Sequence, residues 1–240
     1  MYLSRLELDL TKRATMRALA TPTLFHGAIE DAFPHERSAP ASGGGGQVSL
    51  FDDASGFSPD RERKLWRVDT LRGKTYLLLL SRERPNLSEA ARQFGTGARW
   101  ETKNYSPFLG GIRSGEILRF RLTANPTVSR SSPKSADGEK ARGTVYAHIT
   151  TEHQRQWLLQ KSERHGFRLA EDDFDVTESR WRTFRKGAER NRRVTLLSVT
   201  YDGTLEVTDA DAFREALSNG IGRGKAYGMG LLTVMRRGLP

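Results

Sequence analysis

The chain has 240 residues, 36% of them hydrophobic and 28% charged, enough apolar content for one large domain or two of about 100 residues under a well-solvated surface. It contains no cysteine, which excludes disulfides, iron–sulfur clusters, thiolate zinc sites and cysteine nucleophiles, and it has no run of about 18 apolar residues that could cross a bilayer. Its 39 Lys+Arg against 29 Asp+Glu give a formal charge of +10 and point to a polyanionic partner, nucleic acid first.

The N-terminal MYLSRLELDL alternates Leu6, Leu8 and Leu10 with Arg5, Glu7 and Asp9, the period of a strand with one buried face rather than of an apolar leader, so a cytoplasmic protein is expected. TPTLFHGAIEDAFP follows. Thr21 is placed as N-cap and Pro22 in the first turn of a helix whose Phe25, Ile29 and Phe33 share one face, with Pro34 ending it. Residues 37–60, rich in Ser, Ala, Pro and Gly, read as a mobile insertion. KLWRVDT (64–70) and TYLLLLS (75–81) form a predicted hairpin around Arg72-Gly73-Lys74, and LSEAARQF a helix capped by Asn86 or Ser88. After a turn-rich stretch to Gly115, EILRFRLTANP is a strand closing at Asn125-Pro126.

The order strand, helix, strand, strand, helix, strand is that of a ferredoxin-like unit. It recurs beyond a basic connection, Val128 to Gly143, that carries Arg130 and Lys134. ITTEHQRQWLLQKSERHGF gives a helix capped by Thr150 or Thr151, and FRLAEDDFDVTESRWRTF and RRVTLLSVTYDGTLEV give two strands. DADAFREALSNG gives a second helix capped by Asp209 or Asp211, and GMGLLTV the last strand. The expected fold is α+β, two tandem ferredoxin-like βαββαβ domains over 1–114 and 115–240.

Three places carry candidate chemistry. NGIGRGKAYGMGLLT, residues 219–233, holds glycine at 220, 222, 224, 228 and 230 with Arg223 and Lys225 between them. It follows a helix and precedes the terminal strand, which is the wrong order for a dinucleotide-binding loop, and it lacks the Walker A spacing. Two readings stay open: a concave set of backbone N–H groups for phosphate oxygens, or glycines that only supply positive φ. The second place is ESRWRTFRKGAERNRRV, in which Arg180, Arg182, Arg185, Lys186, Arg190, Arg192 and Arg193 put seven cations in 14 residues. It reads as a basic β-hairpin able to follow an RNA backbone, or else as a solvated edge that blocks aggregation.

The third is His26. Among the five histidines (26, 35, 148, 153 and 165), it alone lies in a helix beside an apolar face, next to Gly27. His153 and His165 read as solvated, and a packed, structural His26 is the competing reading. No HxH, HExxH or acidic cluster joins it, so no metal or cofactor is expected.

Taken together, these residues resemble the CasE-type endoribonucleases that process CRISPR RNA in type I-E systems. MYLSRLELDL is similar to the family's opening strand, LFHGAIEDAFP to its histidine helix, GEILRFRLTANPT to its RFRLxANP strand and NGIGRGKAYGMGLLTV to its C-terminal glycine motif. The four occur in the family's order from one end of the chain to the other. The resemblance implies two ferredoxin-like, RNA-recognition-motif-like domains, a CRISPR repeat-hairpin substrate, metal-independent cleavage with His26 as catalytic histidine, and retention on the mature guide RNA within the Cascade complex. One departure is Thr23, where family members often carry tyrosine. A threonine cannot act as a phenolic acid or stack on a base, so that contribution is absent or comes from elsewhere. With RNA supplying its own 2′-hydroxyl as nucleophile, His26 would move one proton, a task suited to imidazole, whose free pKa is about 6.5. Lys225 and Arg223, with the N–H groups of Gly222 and Gly224, would hold the phosphate. A non-catalytic RNA-hairpin-binding module is the rival reading.

Overall fold

The structure, a computed structural model, describes residues 1–33, 64–130, 144–186 and 192–236. The insertion at 37–60 and residues His35, Lys134 and Arg190 lie outside the described residues. The chain divides into two compact units, Met1–Gly110 with Gly224–Gly228, and Gly111–Arg223 with Met229–Pro240.

In the first unit, β1 (Tyr2–Glu7), β2 (Leu65–Leu71), β3 (Lys74–Ser81) and β4 (Glu101–Asn104) form an antiparallel sheet in the order β2-β3-β1-β4. Two helices, α1 (Arg13–Ala20) and α2 (Thr23–Asp31), lie between β1 and β2 in sequence, and α3 (Ser88–Phe94) lies between β3 and β4. A short α4 (Ser106–Gly110) follows. Strand periodicity sends Leu6, Leu77, Leu79 and Trp66 to one face, where they pack with Phe25, Ile29 and Phe94 of the helices. Phe25 meets Trp66 and Phe94 edge-on, with centroids 5.8 and 5.1 Å apart.

Several expectations are corrected here. Leu10 does not belong to β1 and is 47% exposed. Asp9 ends the strand, because its carboxylate accepts from both the backbone N–H and the hydroxyl of Thr11 and turns the chain. Helix α1 is an element the sequence pattern did not announce; Thr21 closes it, and α2 starts from Pro22 without a side-chain cap. Strand β4, short and mostly exposed, lies in the stretch read as turns. It, and not EILRFRLTANP, is the fourth strand of the first sheet.

That segment is instead β5 (Ile117–Ala124) and opens the second unit. There β11 (Leu232–Arg236), β5 and β10 (Arg192–Val207) lie side by side, with β8 (Phe167–Arg168) and β9 (Phe174–Lys186) both paired to β10. The stretch read as one strand from Phe167 is broken by a 3-10 turn at Glu171–Asp173. Helices α5 (Thr151–Arg164) and α6 (Ala210–Asn219) are capped by the side chains of Thr150 and Asp209. A separate hairpin, β6 (Thr127–Arg130) with β7 (Thr144–Ala147), occupies part of the stretch expected as a plain connection and ends its first strand at Arg130. Both units therefore order their strands as a ferredoxin-like fold does, the first strand between the last two, β1 between β3 and β4 and β5 between β10 and β11. No described helix is long and apolar enough to cross a membrane.

Candidate functional site

Helix α2 carries His26 because Phe25 and Ile29, at most 1% exposed, hold one face of the helix in the core and leave the next position at the rim. The His26 side chain is 40% exposed. One turn on, Glu30 places a carboxylate oxygen 3.8 Å from His26 Nδ1, while its other oxygen accepts from Lys64 Nζ at 2.9 Å. The Lys64 side chain is only 4% exposed and its ammonium lies 4.5 Å from the centre of the Phe33 ring. Glu30 thus joins a buried cation to the histidine. The i,i+4 spacing of His26 and Glu30 was visible in the sequence; Lys64 was not, because 33 intervening residues separate it from Glu30 and nothing in their pattern brings it back.

The glycine stretch supplies the second component. Its Gly224–Gly228 segment belongs to the first unit, where a 3-10 turn, Lys225–Tyr227, packs beside α2 and β2. Lys225 is therefore carried to the element that holds His26, and Tyr227 puts a phenol on the same turn. Gly220, Gly222, Gly224, Gly228 and Gly230 all have φ between 74° and 86°, the left-handed region. At Gly228 a Cβ would come within 2.7 Å of the Trp66 ring, and at Gly222 within 3.2 Å of the Trp157 ring. The bodies that exclude side chains at these two glycines are the protein's own tryptophans. An RNA backbone is not needed to explain them, and the open alternative, glycine for positive φ and close packing, accounts for both. Arg223, half-buried, bridges to Asn125 of the RFRLTANP segment in the second unit, and its Nη1, like Asn125 Oδ1, has no hydrogen-bond partner among the described residues.

The basic hairpin is real and asymmetric. Strands β9 and β10 pair Arg180 with Ser198, Arg182 with Leu196, Arg185 with Arg193 and Lys186 with Arg192. Alternation puts Arg180 and Arg182 on the face of Phe184, and Arg185 and Arg193 on the face of Trp181. These four cations thus occupy both faces of the ribbon. The Arg185–Arg193 rung sets cation opposite cation, an arrangement that costs stability unless an anion sits between them. On the other face Arg180 is paired with Glu178 at 3.1 Å. Burial, and then the charge of Arg180, pulls the Arg182 guanidinium below its ordinary pKa, with Glu178 opposing. Trp181 is 52% exposed.

His153 lies on α5 and His165 at its C-terminal end. His153 accepts or donates at Nδ1 with the Thr150 hydroxyl at 2.8 Å, and His165 Nδ1 lies 2.8 Å from the Lys161 carbonyl. Among the described residues no three His, Asp or Glu side chains come together as a metal site.

A model of the family described as "CRISPR associated protein" matches residues 1–236. The chain belongs to that family. It is 28% identical over 241 residues to the CRISPR-associated endoribonuclease Cse3 of Thermus thermophilus, covering 98% of this chain and 99% of the relative. A solved structure of Cse3 bound to a 19-nucleotide RNA superposes with a TM-score of 0.72 at 28% identity, over 98% of this chain and 100% of that one. A chain of a CRISPR RNA-guided surveillance complex shares the fold at a TM-score of 0.64 and 22% identity, over 99% of this chain and 100% of that one.

Proposed function

We propose that this protein is a CRISPR RNA endoribonuclease that binds the repeat stem-loop of the precursor transcript, cleaves it, and stays on the mature guide as a Cascade subunit in the cytoplasm. The observation that carries the reading is the folding of the Lys225 turn into the first unit beside α2, so that two chemistry-bearing residues distant in sequence share one neighbourhood. The full-length similarity to an RNA-bound endoribonuclease of the same family supports it.

The reaction needs only groups on the chain and the substrate. The RNA 2′-oxygen attacks the adjacent phosphorus, the bond to the 5′-oxygen breaks, and the products carry a 2′,3′-cyclic phosphate and a 5′-hydroxyl. One proton leaves the 2′-hydroxyl and one reaches the departing 5′-oxygen; His26 handles one of the two, which contributes about 10²- to 10⁴-fold. Glu30 lies on the Nδ1 edge of the ring and fixes its orientation. Lys225 stabilises the charge that builds on the phosphorane. The stem is held by Arg180, Arg182, Arg185, Lys186, Arg190, Arg192 and Arg193, and the phosphates nearer the scission by Arg223 and the backbone of Gly222 and Gly224, with Arg130 and Lys134 as outlying contacts.

Incubation with the host's CRISPR repeat RNA in EDTA tests the proposal. Cleavage at one position with 2′,3′-cyclic and 5′-hydroxyl ends by mass spectrometry is expected. Binding without cleavage would make the protein an RNA-hairpin-binding module, the reading that Thr23 at the family's tyrosine position favours. A 3′-hydroxyl with a 5′-phosphate would mean attack by water.

A further inference from the structure

A groove that the proposed function does not use lies within the first unit. It measures about 820 Å³ and opens on the sheet beside the segment that joins α3 to β4. Its floor comes from the strand positions that alternate away from the helices, Arg5 and Glu7 on β1 and Lys74 and Tyr76 on β3, and its wall from Thr96 to Glu101. The size falls in the range that takes a small organic molecule or a nucleotide.

The chemistry of the lining narrows the choice. Arg5 is fixed in plane by two parallel hydrogen bonds, from Nε and Nη2 to the two carboxylate oxygens of Glu101, both 3.0 Å. Its guanidinium carbon lies 5.5 Å from the centre of the Tyr76 ring. Lys74 is tied to Glu7 at 3.0 Å. Two of the three cations are therefore matched by carboxylates, so the groove is not a phosphate track. What it offers is flat π surface at Tyr76 and at half-buried Trp100, a rigid guanidinium plane, carboxylate acceptors for exocyclic amines, and a single exposed Arg99 at the rim.

We infer that this groove binds the base of one unpaired nucleotide of the RNA, stacked against Tyr76 and the Arg5 plane, with Arg99 on its phosphate. Unpaired bases are recognised in this way, by stacking on aromatic rings and guanidinium planes and by hydrogen bonds to their edges. The inference rests on the RNA-binding reading above and adds a segment of substrate outside the stem.

Two RNAs separate the groove from the stem site: the bare repeat hairpin, and the same hairpin with an eight-nucleotide unpaired extension. Fluorescence anisotropy should show that Tyr76→Ala weakens the extended RNA by about tenfold, as loss of one base–aromatic stack does, and leaves the bare hairpin within about twofold. Arg99→Glu, at an exposed loop position, should reproduce the difference and covers the case in which Tyr76→Ala melts early. Equal weakening of both RNAs, no weakening of either, or no gain from the extension in the unsubstituted protein overturns the groove. If instead the bare hairpin does not bind at all, while an unpaired oligonucleotide binds in a Tyr76-dependent manner, the groove stands and the stem-loop reading falls.

Discussion

His26 Nδ1 and Glu30 Oε1 lie 3.8 Å apart on successive turns of α2, and the same carboxylate is held from the far side by buried Lys64. The arrangement makes Glu30 a positioning residue: it touches the histidine and its anchor but has no contact with the reacting phosphate in the scheme above. Glu30→Gln keeps the shape and removes the charge. Cleavage should slow by up to about 10²-fold through a misplaced imidazole, with RNA affinity within about threefold. His26→Ala should abolish cleavage with less than about a tenfold change in affinity, because the phosphate contacts lie elsewhere. Single-turnover cleavage and anisotropy on the same preparations check both. Affinity falling in step with cleavage would make the histidine structural.

Gly228 sets the position of Lys225. Its φ is +80° and a Cβ there would meet the Trp66 ring at 2.7 Å, whereas Gly73, at φ +76°, has open space around it. Gly228→Ala should therefore lose more stability than Gly73→Ala, by about 1–3 kcal/mol from overpacking in addition to the shared cost of positive φ. Thermal melting measures the difference, and equal shifts would show that Trp66 moves aside. Displacing the turn should also slow cleavage in Gly228→Ala but not in Gly73→Ala.

Much of this was legible before the structure because the signals are local. The alternation in MYLSRLEL, the Phe25–Ile29 face, the helix starts at Thr150 or Thr151 and at Asp209 or Asp211, and the paired strands around Arg180–Arg193 each follow from the period or chemistry of a few residues, although α2 ends at Asp31, short of Phe33. What escaped was non-local. Helix α1 buries only Thr15 and Ala18, too weak an apolar face to announce itself, and β4 exposes most of its residues. Which glycines pack against the protein's own rings was also hidden, because nothing in sequence shows Trp66 and Trp157 arriving at Gly228 and Gly222. Lys64 is invisible for the same reason. The Arg185–Arg193 rung required the register, which a loop of uncertain length hides.

His148 offers a pH test independent of RNA. Burial, and then the charge of neighbouring His153 with ring centres 5.8 Å apart, pulls its pKa below the ordinary 6.5. The folded state thus resists protonation that the unfolded chain accepts, so the unfolded state binds more protons as pH falls through 6.5. Stability associated with His148 is present above that pH and declines below it until the folded pKa is reached. By NMR the His148 ring should titrate at lower pH than a free histidine. His153→Gln should move the midpoint part of the way back, since burial is the larger cause. An upward shift from 6.5 would contradict the arrangement.

The paired cations of the hairpin carry the last prediction. Arg185 and Arg193 face each other across β9 and β10, and the next rung pairs Lys186 with Arg192. Like charges directly opposite each other weaken a sheet, so removing one should leave the free protein as stable as before or slightly more so. Bound RNA reverses the balance, because each phosphate neutralised there releases condensed counterions and makes affinity fall steeply with salt. Arg185→Ala with Arg193→Ala should weaken binding to the repeat hairpin and flatten the slope of log K against log salt by about one unit for each phosphate no longer neutralised. Arg92→Ala, an exposed arginine of α3 already paired with Glu89, should leave the slope unchanged. A melting temperature that holds or rises while affinity and slope both fall identifies the rungs as an RNA site. A slope unchanged in the double variant would reduce the hairpin to a solvated edge and move the stem to other cations of the chain.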